Sequence, residues 1–287
     1  MQRITLQREA ALSGPGLFTA QQTAITIAPA DDGISYSLQG QHIPASIEAL
    51  STRPPHPIFQ QLKPRCTTLG SHHCTVATIE HIMSALTGLG ITDARINIDA
   101  PQPHTEIPII DGSAKPFVDA ILAAGTTTLP DQIDPIRIAH PIEIIDSDAS
   151  IIIEPSDTPS YSYTIEYPDT PIESATVTWN ANTDDYINTI APARTFSLEH
   201  EAQQMQSLGL FTHLTPRDML VIGPQGPIDN QYRVANECAN HKLLDLIGDL
   251  ALVGKPLIAK VTATRSGHAM AHQAARAIVD QHRSNKK

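Results

Sequence analysis

Aromatic residues are scarce in this chain, only 4% of 287 residues with a single tryptophan, so any core must be built from isoleucine, leucine and alanine. Cysteine is sparse too. Cys66, Cys74 and Cys238 form a small, odd set, which excludes a disulfide framework and suits reduced thiols. No apolar run approaches the roughly 20 residues of a membrane span, so an integral membrane protein is not expected. The opening Met1-Gln-Arg-Ile-Thr-Leu lacks the apolar stretch of a secretory signal, and a cytoplasmic location is expected. Positive charge is in deficit: 19 basic against 30 acidic residues leave a net charge of −11. That argues against nucleic acid as a partner, because neutralising phosphates requires a basic face. It leaves room for a local basic spot serving one anionic ligand.

What the chain does contain is punctuation. Its 23 prolines fall largely in clusters such as Pro54-Pro55 and Pro155–Pro159 that separate short elements. The length suits two domains of ordinary size. In the first half, Ala24–Ala28 and Gly33–Leu38 alternate as strands do, and Ala94–Asp99 places Ile96 and Ile98 on one face. The stripe Ile79, Ile82, Met83, Leu86 predicts a helix over Thr78–Leu89, stopped by Gly88 and Gly90. A second helix is expected from about Ser113, as its cap, to Ala124, with Gly125 ending it.

The polar, proline-bearing stretch Thr126–Pro135 reads as a linker. Beyond it, strands are expected at Ile136–Ala139, Ile142–Ile145, Ser150–Glu154, Ser160–Tyr167, Ala175–Trp179 and Ile258–Ala263. Helices are expected at Thr183–Ile190, Leu198–Leu208, Cys238–Val253 and His268–His282. Both halves read as strands followed by strand–helix alternation, the pattern of two α+β domains of similar plan, although no sequence repeat links them.

The most chemically informative segment is His241-Lys-Leu-Leu-Asp245-Leu-Ile-Gly-Asp249. With His241 at zero and about 100° per residue, Asp245 falls near roughly 40° and Asp249 near roughly 80°. Leu243, Leu244, Ile247 and Leu250 occupy the opposite side, roughly 180–300°. An imidazole and a carboxylate one turn apart make half of a divalent-metal site. The competing reading is a helix with a polar solvent face.

Glu80 and His81 both diverge from the apolar stripe of their own helix, a pairing that can set a metal ligand beside a general base. An exposed pair on a helix surface reads the same way. Ser266-Gly267-His268 precedes a further helical pattern. A protonated imidazole at a helix start is disfavoured by the helix dipole unless a carboxylate compensates, and Asp249 is available. Glu106-Ile-Pro-Ile-Ile-Asp-Gly-Ser113 reads first as a turn, and Ala193-Arg-Thr195-Phe196 as a hydroxyl and an aromatic face offered to a cleft. Ser71-His72-His73-Cys74 with Cys66 upstream lacks the partner spacing of a second metal site.

Taken in order, five segments resemble the zinc-dependent UDP-3-O-acyl-N-acetylglucosamine deacetylases of lipid A biosynthesis. They are Thr78–Gly90, Glu106–Phe117, Ala193–Phe196, His241–Asp249 and Ser266–His268, with Gly14-Pro-Gly-Leu17 as a fainter match. The resemblance implies two α+β domains, each a sheet layered against helices, with the active site at their interface. Residues 1–127 and 134–287 are the expected domains, the second carrying an insertion at about 197–232 that shapes a passage for an acyl chain.

The resemblance also implies roles. His81, His241 and Asp245 would bind Zn2+, although a His₂Asp set with open positions accepts ferrous iron too. Glu80 would be the general base, and His268, held by Asp249, the charged acid. Thr195 would stabilise the oxyanion. Lys242 and Arg265 would meet the sugar or diphosphate, and Phe196 the substrate. The expected partner is a UDP-linked acylated amino sugar, and the expected protein a monomer.

Several positions depart from the family pattern. Phe18 and Ala20 stand where a histidine and a glycine are usual, and Asn240 where an arginine is usual. Pro101–Thr105 are extra, and Phe211–Asp218 replace a glycine-rich turn between Gly209 and Ala235. These changes spare the metal and acid–base set and fall where substrate would be recognised. Two other readings therefore stay open: a paralogue acting on a different N-acetylated sugar nucleotide or glycolipid, and a non-catalytic protein keeping the metal for structure.

Overall fold

The computed structural model describes residues 1–60, 64–181 and 183–285. Its first half holds strands β1 (Ala10–Pro15), β2 (Gln22–Ala28), β3 (Ile34–Leu38), β4 (Gln41–Pro44) and β5 (Ala94–Asp99), in sheet order β1-β2-β5-β3-β4. Its second half holds β6 (Ile142–Asp146), β7 (Ala149–Glu154), β8 (Ser160–Ile165), β9 (Ala175–Asn180) and β10 (Lys260–Thr264), in order β6-β7-β10-β8-β9. The two sheets have one plan. In each, two hairpins are joined by a late strand that enters between them, antiparallel to one neighbour and parallel to the other. The α+β class and the similarity of the halves are thus visible in topology, where sequence alone showed no repeat.

Alternation explains the sheets. Ile25 and Ile27 on β2 pair with Ile98 and Ile96 on β5, which pair in turn with Leu38 and Tyr36 on β3, and all of these are buried. The second sheet repeats this with Ile151 and Ile153 against Ala263 and Val261, and then Tyr163 and Tyr161. In each half a helix precedes the late central strand and another follows it. These are α1 (Glu80–Gly88) and α2 (Lys115–Ala124), then, after α3 (Glu199–Ser207), α4 (Glu237–Leu250) and α5 (His268–Ser284). The equivalent helices α1 and α4 pack on each other. One aliphatic cluster runs continuously through both halves.

Several boundaries differ from the sequence expectation. Thr126–Gln132, read as part of a linker, is a strand antiparallel to Gln2–Leu6. It is exposed along nearly its whole length, so no apolar alternation marked it. The N-cap position of α2 is Ala114, and Ser113 only accepts the N–H of Lys115 at its Oγ, 3.2 Å away. Its N–H and hydroxyl both donate to Asp111 Oδ1, and the helix begins two residues later. The helix expected over Thr183–Ile190 shrinks to one turn, Tyr186–Thr189, because Asp184 accepts from the N–H of Asn180 and Asp185 supplies the cap. The strand expected at Ile258–Ala263 is two: Leu257–Ile258 lies parallel to Ile136–Arg137, and β10 follows.

The segment after Ala193 builds a small layer of its own. Phe196–Leu198 runs parallel to Leu220–Gly223, which pairs back with Gly226–Pro227, and α3 lies across them. Among the described residues, no helix is long and apolar enough to cross a membrane.

Candidate metal centre and cleft

Because α1 and α4 are the equivalent helices of two similar halves and pack together, their polar residues meet in the seam. His81 and Glu80 stand in the first turn of α1, and His241, Asp245 and Asp249 follow one another along α4. All five are buried, so Glu80 and His81 are not the exposed surface pair of the competing reading: they leave their helix's aliphatic stripe to enter the domain interface. Thr78, just before α1, holds a left-handed backbone (φ 59°), unfavourable for a β-branched residue by about 1–3 kcal/mol. Its hydroxyl donates to Glu106 (3.0 Å), a buried carboxylate that also accepts from the N–H groups of Phe18 and Thr19 and from the Thr19 hydroxyl. Glu106 is therefore an anchor tying the N-terminal turn to the entry of α1.

Asp245 divides its two oxygens. Oδ2 accepts from Lys242 Nζ at 2.7 Å. Oδ1 lies 3.4 Å from His241 Nε2 and 3.7 Å from His81 Nε2. Ligand atoms about 2.0–2.1 Å from a tetrahedral ion stand about 3.3 Å apart, so these separations fit one divalent ion. The three donor atoms lie within 4.8 Å of one another, the one such group of three among the described residues. Burial holds the His81 pKa down to about 3 and lowers that of His241 too. Both rings are neutral, the form that ligates a metal. His241 Nδ1 lies 3.1 Å from the carbonyl oxygen of Ala193, which requires an Nδ1–H donor and leaves Nε2 bare toward the site.

Burial opposes charge on Asp245, but Lys242 and the imidazolium of His268 outweigh it and keep the carboxyl well below its usual range. Burial likewise opposes charge on Lys242, and Asp245 overcomes it. His268 sits at the first position of α5, its Nδ1 at 2.8 Å from Asp249 Oδ2. Burial works against the imidazolium, yet Asp249 more than compensates and raises its pKa to about 9. The Nε2 of His268 faces Glu80 Oε1 at 4.0 Å. Burial raises the Glu80 pKa, with the charge on His268 opposing and Asp249 and Asp245 reinforcing.

These groups open into a cleft of about 640 Å³ whose lining includes Glu80, His81, His241, Asp245, His268 and Thr195. Phe196, Lys242 and Arg265 line it too. Arg265 lies 3.0 Å from Asp148 and 3.8 Å from Glu166, so its charge is partly met within the protein. Asp249 stands behind His268. All ten sequence candidates thus come together. Beside the cleft, and sharing Leu17, Thr195, Phe196 and Phe211 with it, is an apolar chamber of about 250 Å³ under α3.

Thr195 is fixed from both sides. Its N–H donates to Gly112 O at 2.7 Å, and the preceding Arg194, 2% exposed, is clamped by the buried Glu237. Tyr167 also lines the cleft, its ring 5.8 Å from that of Phe196. No motif singles it out: the sequence reads it only as the last residue of the strand expected at Ser160–Tyr167, which in the structure ends at Ile165. Cys66 and Cys74 are buried and free, and neither joins His72 and His73 in a ligand cluster among the described residues.

Comparison with known proteins agrees with this geometry. Residues 3–280 match the model of the family described as UDP-3-O-acyl N-acetylglycosamine deacetylase (LpxC). A protein from Leptospira biflexa named UDP-3-O-acyl-N-acetylglucosamine deacetylase is 32% identical over 97% of this chain and 90% of its own. Proteins of the same name from Citrifermentans bemidjiense and a Nostoc species are 35% and 33% identical, covering 94% and 97% of this chain and 86% and 99% of theirs. The chain belongs to the UDP-3-O-acyl-N-acetylglucosamine deacetylase family.

Proposed function

We propose that this protein hydrolyses the acetamide of UDP-3-O-acyl-N-acetylglucosamine to the free amine and acetate, a step of lipid A biosynthesis. The observation that carries the reading is the placement of Glu80 and His268, 4.0 Å apart, beside the His81–His241–Asp245 group. A divalent ion held by that group would supply Lewis acidity, polarising a carbonyl and lowering the pKa of water toward neutrality. Zinc suits the ligand set, and ferrous iron satisfies it too.

Glu80 takes the proton of the attacking water, and its raised pKa suits a base working near neutral pH. His268 carries its proton at Nε2 toward the nitrogen that leaves when the C–N bond breaks. Asp249 holds Nδ1 and so fixes which nitrogen acts. The Thr195 hydroxyl stabilises the oxyanion as negative charge develops there. Lys242 and Arg265 meet the anionic part of the substrate, and Phe196 packs on the sugar. The apolar chamber under α3 suits the acyl chain. Base and acid retained together speak against a non-catalytic protein.

The reading takes residues 1–127 and 134–287 as the two domains and the protein as a cytoplasmic monomer. The test is acetate release from zinc-loaded protein given UDP-3-O-(3-hydroxyacyl)-N-acetylglucosamine, with His241→Ala as control. Metal-dependent release lost in the control is expected, and its absence in folded, metal-loaded protein would overturn the substrate.

One observation favours a second substrate. Phe18, where the family usually has histidine, packs 5.1 Å from Phe59 and 5.7 Å from Phe211, giving one end of the cleft an aromatic wall. Faster turnover of another N-acetylated sugar nucleotide in the same assay would select that reading.

A further inference from the structure

Thr67 belongs to none of the family-like segments, does not line the cleft and is fully buried. It nevertheless touches both carboxylates of the acid–base machinery. Its main-chain N–H donates to Glu80 Oε2 at 3.0 Å, and its hydroxyl donates to Asp249 Oδ1. The other oxygen of Asp249 holds His268, whose far nitrogen faces the other oxygen of Glu80. A ring closes through four residues: Glu80, Thr67, Asp249 and His268.

His272 completes the arrangement. It is buried one helical turn after His268, and its Nε2 lies 2.8 Å from the Thr67 hydroxyl. A hydroxyl has one proton, and an ionised carboxylate can only accept. The Thr67 proton therefore goes to Asp249, and His272 must donate its Nε2–H to the Thr67 oxygen. That leaves the hydroxyl no alternative orientation. Thr67 itself is pinned, because its carbonyl accepts from the N–H of Ile79, just before Glu80, and the following Thr68 pairs with Ala77.

We propose that Thr67, oriented by His272, is the positioning residue that sets the distance and orientation between base and acid. It does so by holding Glu80 through its backbone and Asp249 through its side chain. This rests on the assignment of Glu80 and His268 above. A free carboxylate rotates, and rotation of Asp249 would release His268 Nδ1 and turn Nε2 away from the leaving group. The Thr67 hydroxyl removes that freedom without touching substrate, so its effect falls on turnover and not on binding.

Thr67→Val keeps the shape and the N–H but removes the hydroxyl. In zinc-loaded protein it should lower kcat about 10–100-fold, with KM and metal content unchanged. Thr67→Ser, which keeps the hydroxyl, should recover most of that loss. In an Asp249→Asn background, Thr67→Val should cost less than about twofold, because effects passed through one shared partner do not add. An equal loss in both backgrounds, or a rise in KM alone, would overturn the proposal.

A second readout needs no turnover. In ¹⁵N-imidazole NMR of the zinc-loaded protein, Thr67→Val should move the His268 ring resonances toward those of Asp249→Asn, and Thr67→Ser should not. Unmoved resonances overturn the positioning role. Resonances that move in Thr67→Val while the wild type releases no acetate would instead overturn the substrate reading and leave the role of Thr67 standing.

Discussion

Gly248 on α4 lies so close to the carbonyl oxygen of Glu80 that a β-carbon there would overlap it. The missing side chain is what lets α4 approach the first turn of α1, and with it lets Asp245 reach His81. Gly248→Ala should therefore push the helices apart, at about 1–3 kcal/mol of overpacking. Zinc affinity should fall more than global stability suggests, since one ligand comes from each helix. Metal titration beside urea unfolding would check this, and unchanged affinity would refute it.

Glu80→Gln retains an oxygen to accept the Thr67 N–H but cannot take a proton. Metal content should stay at the wild-type level while turnover drops about 100–10,000-fold, the range for losing a general base. Acetate release together with elemental analysis decides it. Preserved turnover would remove Glu80 from the mechanism.

The pH dependence follows from His268. Its pKa in the fold, about 9, lies above its ordinary 6.5, so the protonated form is favoured by folding. The associated stabilisation is complete below about 6.5 and is lost as pH rises through about 9. If the charged ring is the acid, kcat/KM should decline over the same upper range. Asp249→Asn removes the compensating charge, and the alkaline limb should then move toward neutral pH. A limb that stays in place would show that another group sets it.

Arg194 and Glu237 form a buried pair, 2.7 Å from Nε to Oε1, directly beneath Thr195. Glu237→Ala strands a buried guanidinium and should cost about 3–5 kcal/mol in unfolding free energy. Because Glu237 Oε1 also accepts the N–H of Arg194, Thr195 should lose its place and residual activity should fall in the variant that still folds. Denaturant melts and single-turnover assays would separate the two effects.

Much of the site was legible because helix periodicity is local. The 40° step between His241 and Asp245 and the divergence of Glu80 and His81 from their stripe depend only on about 100° per residue. So the ligand pair on α4, the Glu–His pair on α1 and the need of His268 for a carboxylate could be read from the chain. Short exposed elements could not. The strand Thr126–Gln132 buries no face, and the contracted turn at Tyr186–Thr189 is set by two aspartate side chains competing for nearby N–H groups.

What the sequence by itself determined is which side chains share a helix face, and hence which chemistry each element offers. Tertiary structure alone decided which faces meet. The repeated sheet plan brings α1 against α4, Gly248 sets how closely, and Thr67 joins two carboxylates that no local spacing relates. The physical reason is that periodicity fixes directions within an element. The meeting of two elements depends on burial summed over both halves, which no single stretch of the chain encodes.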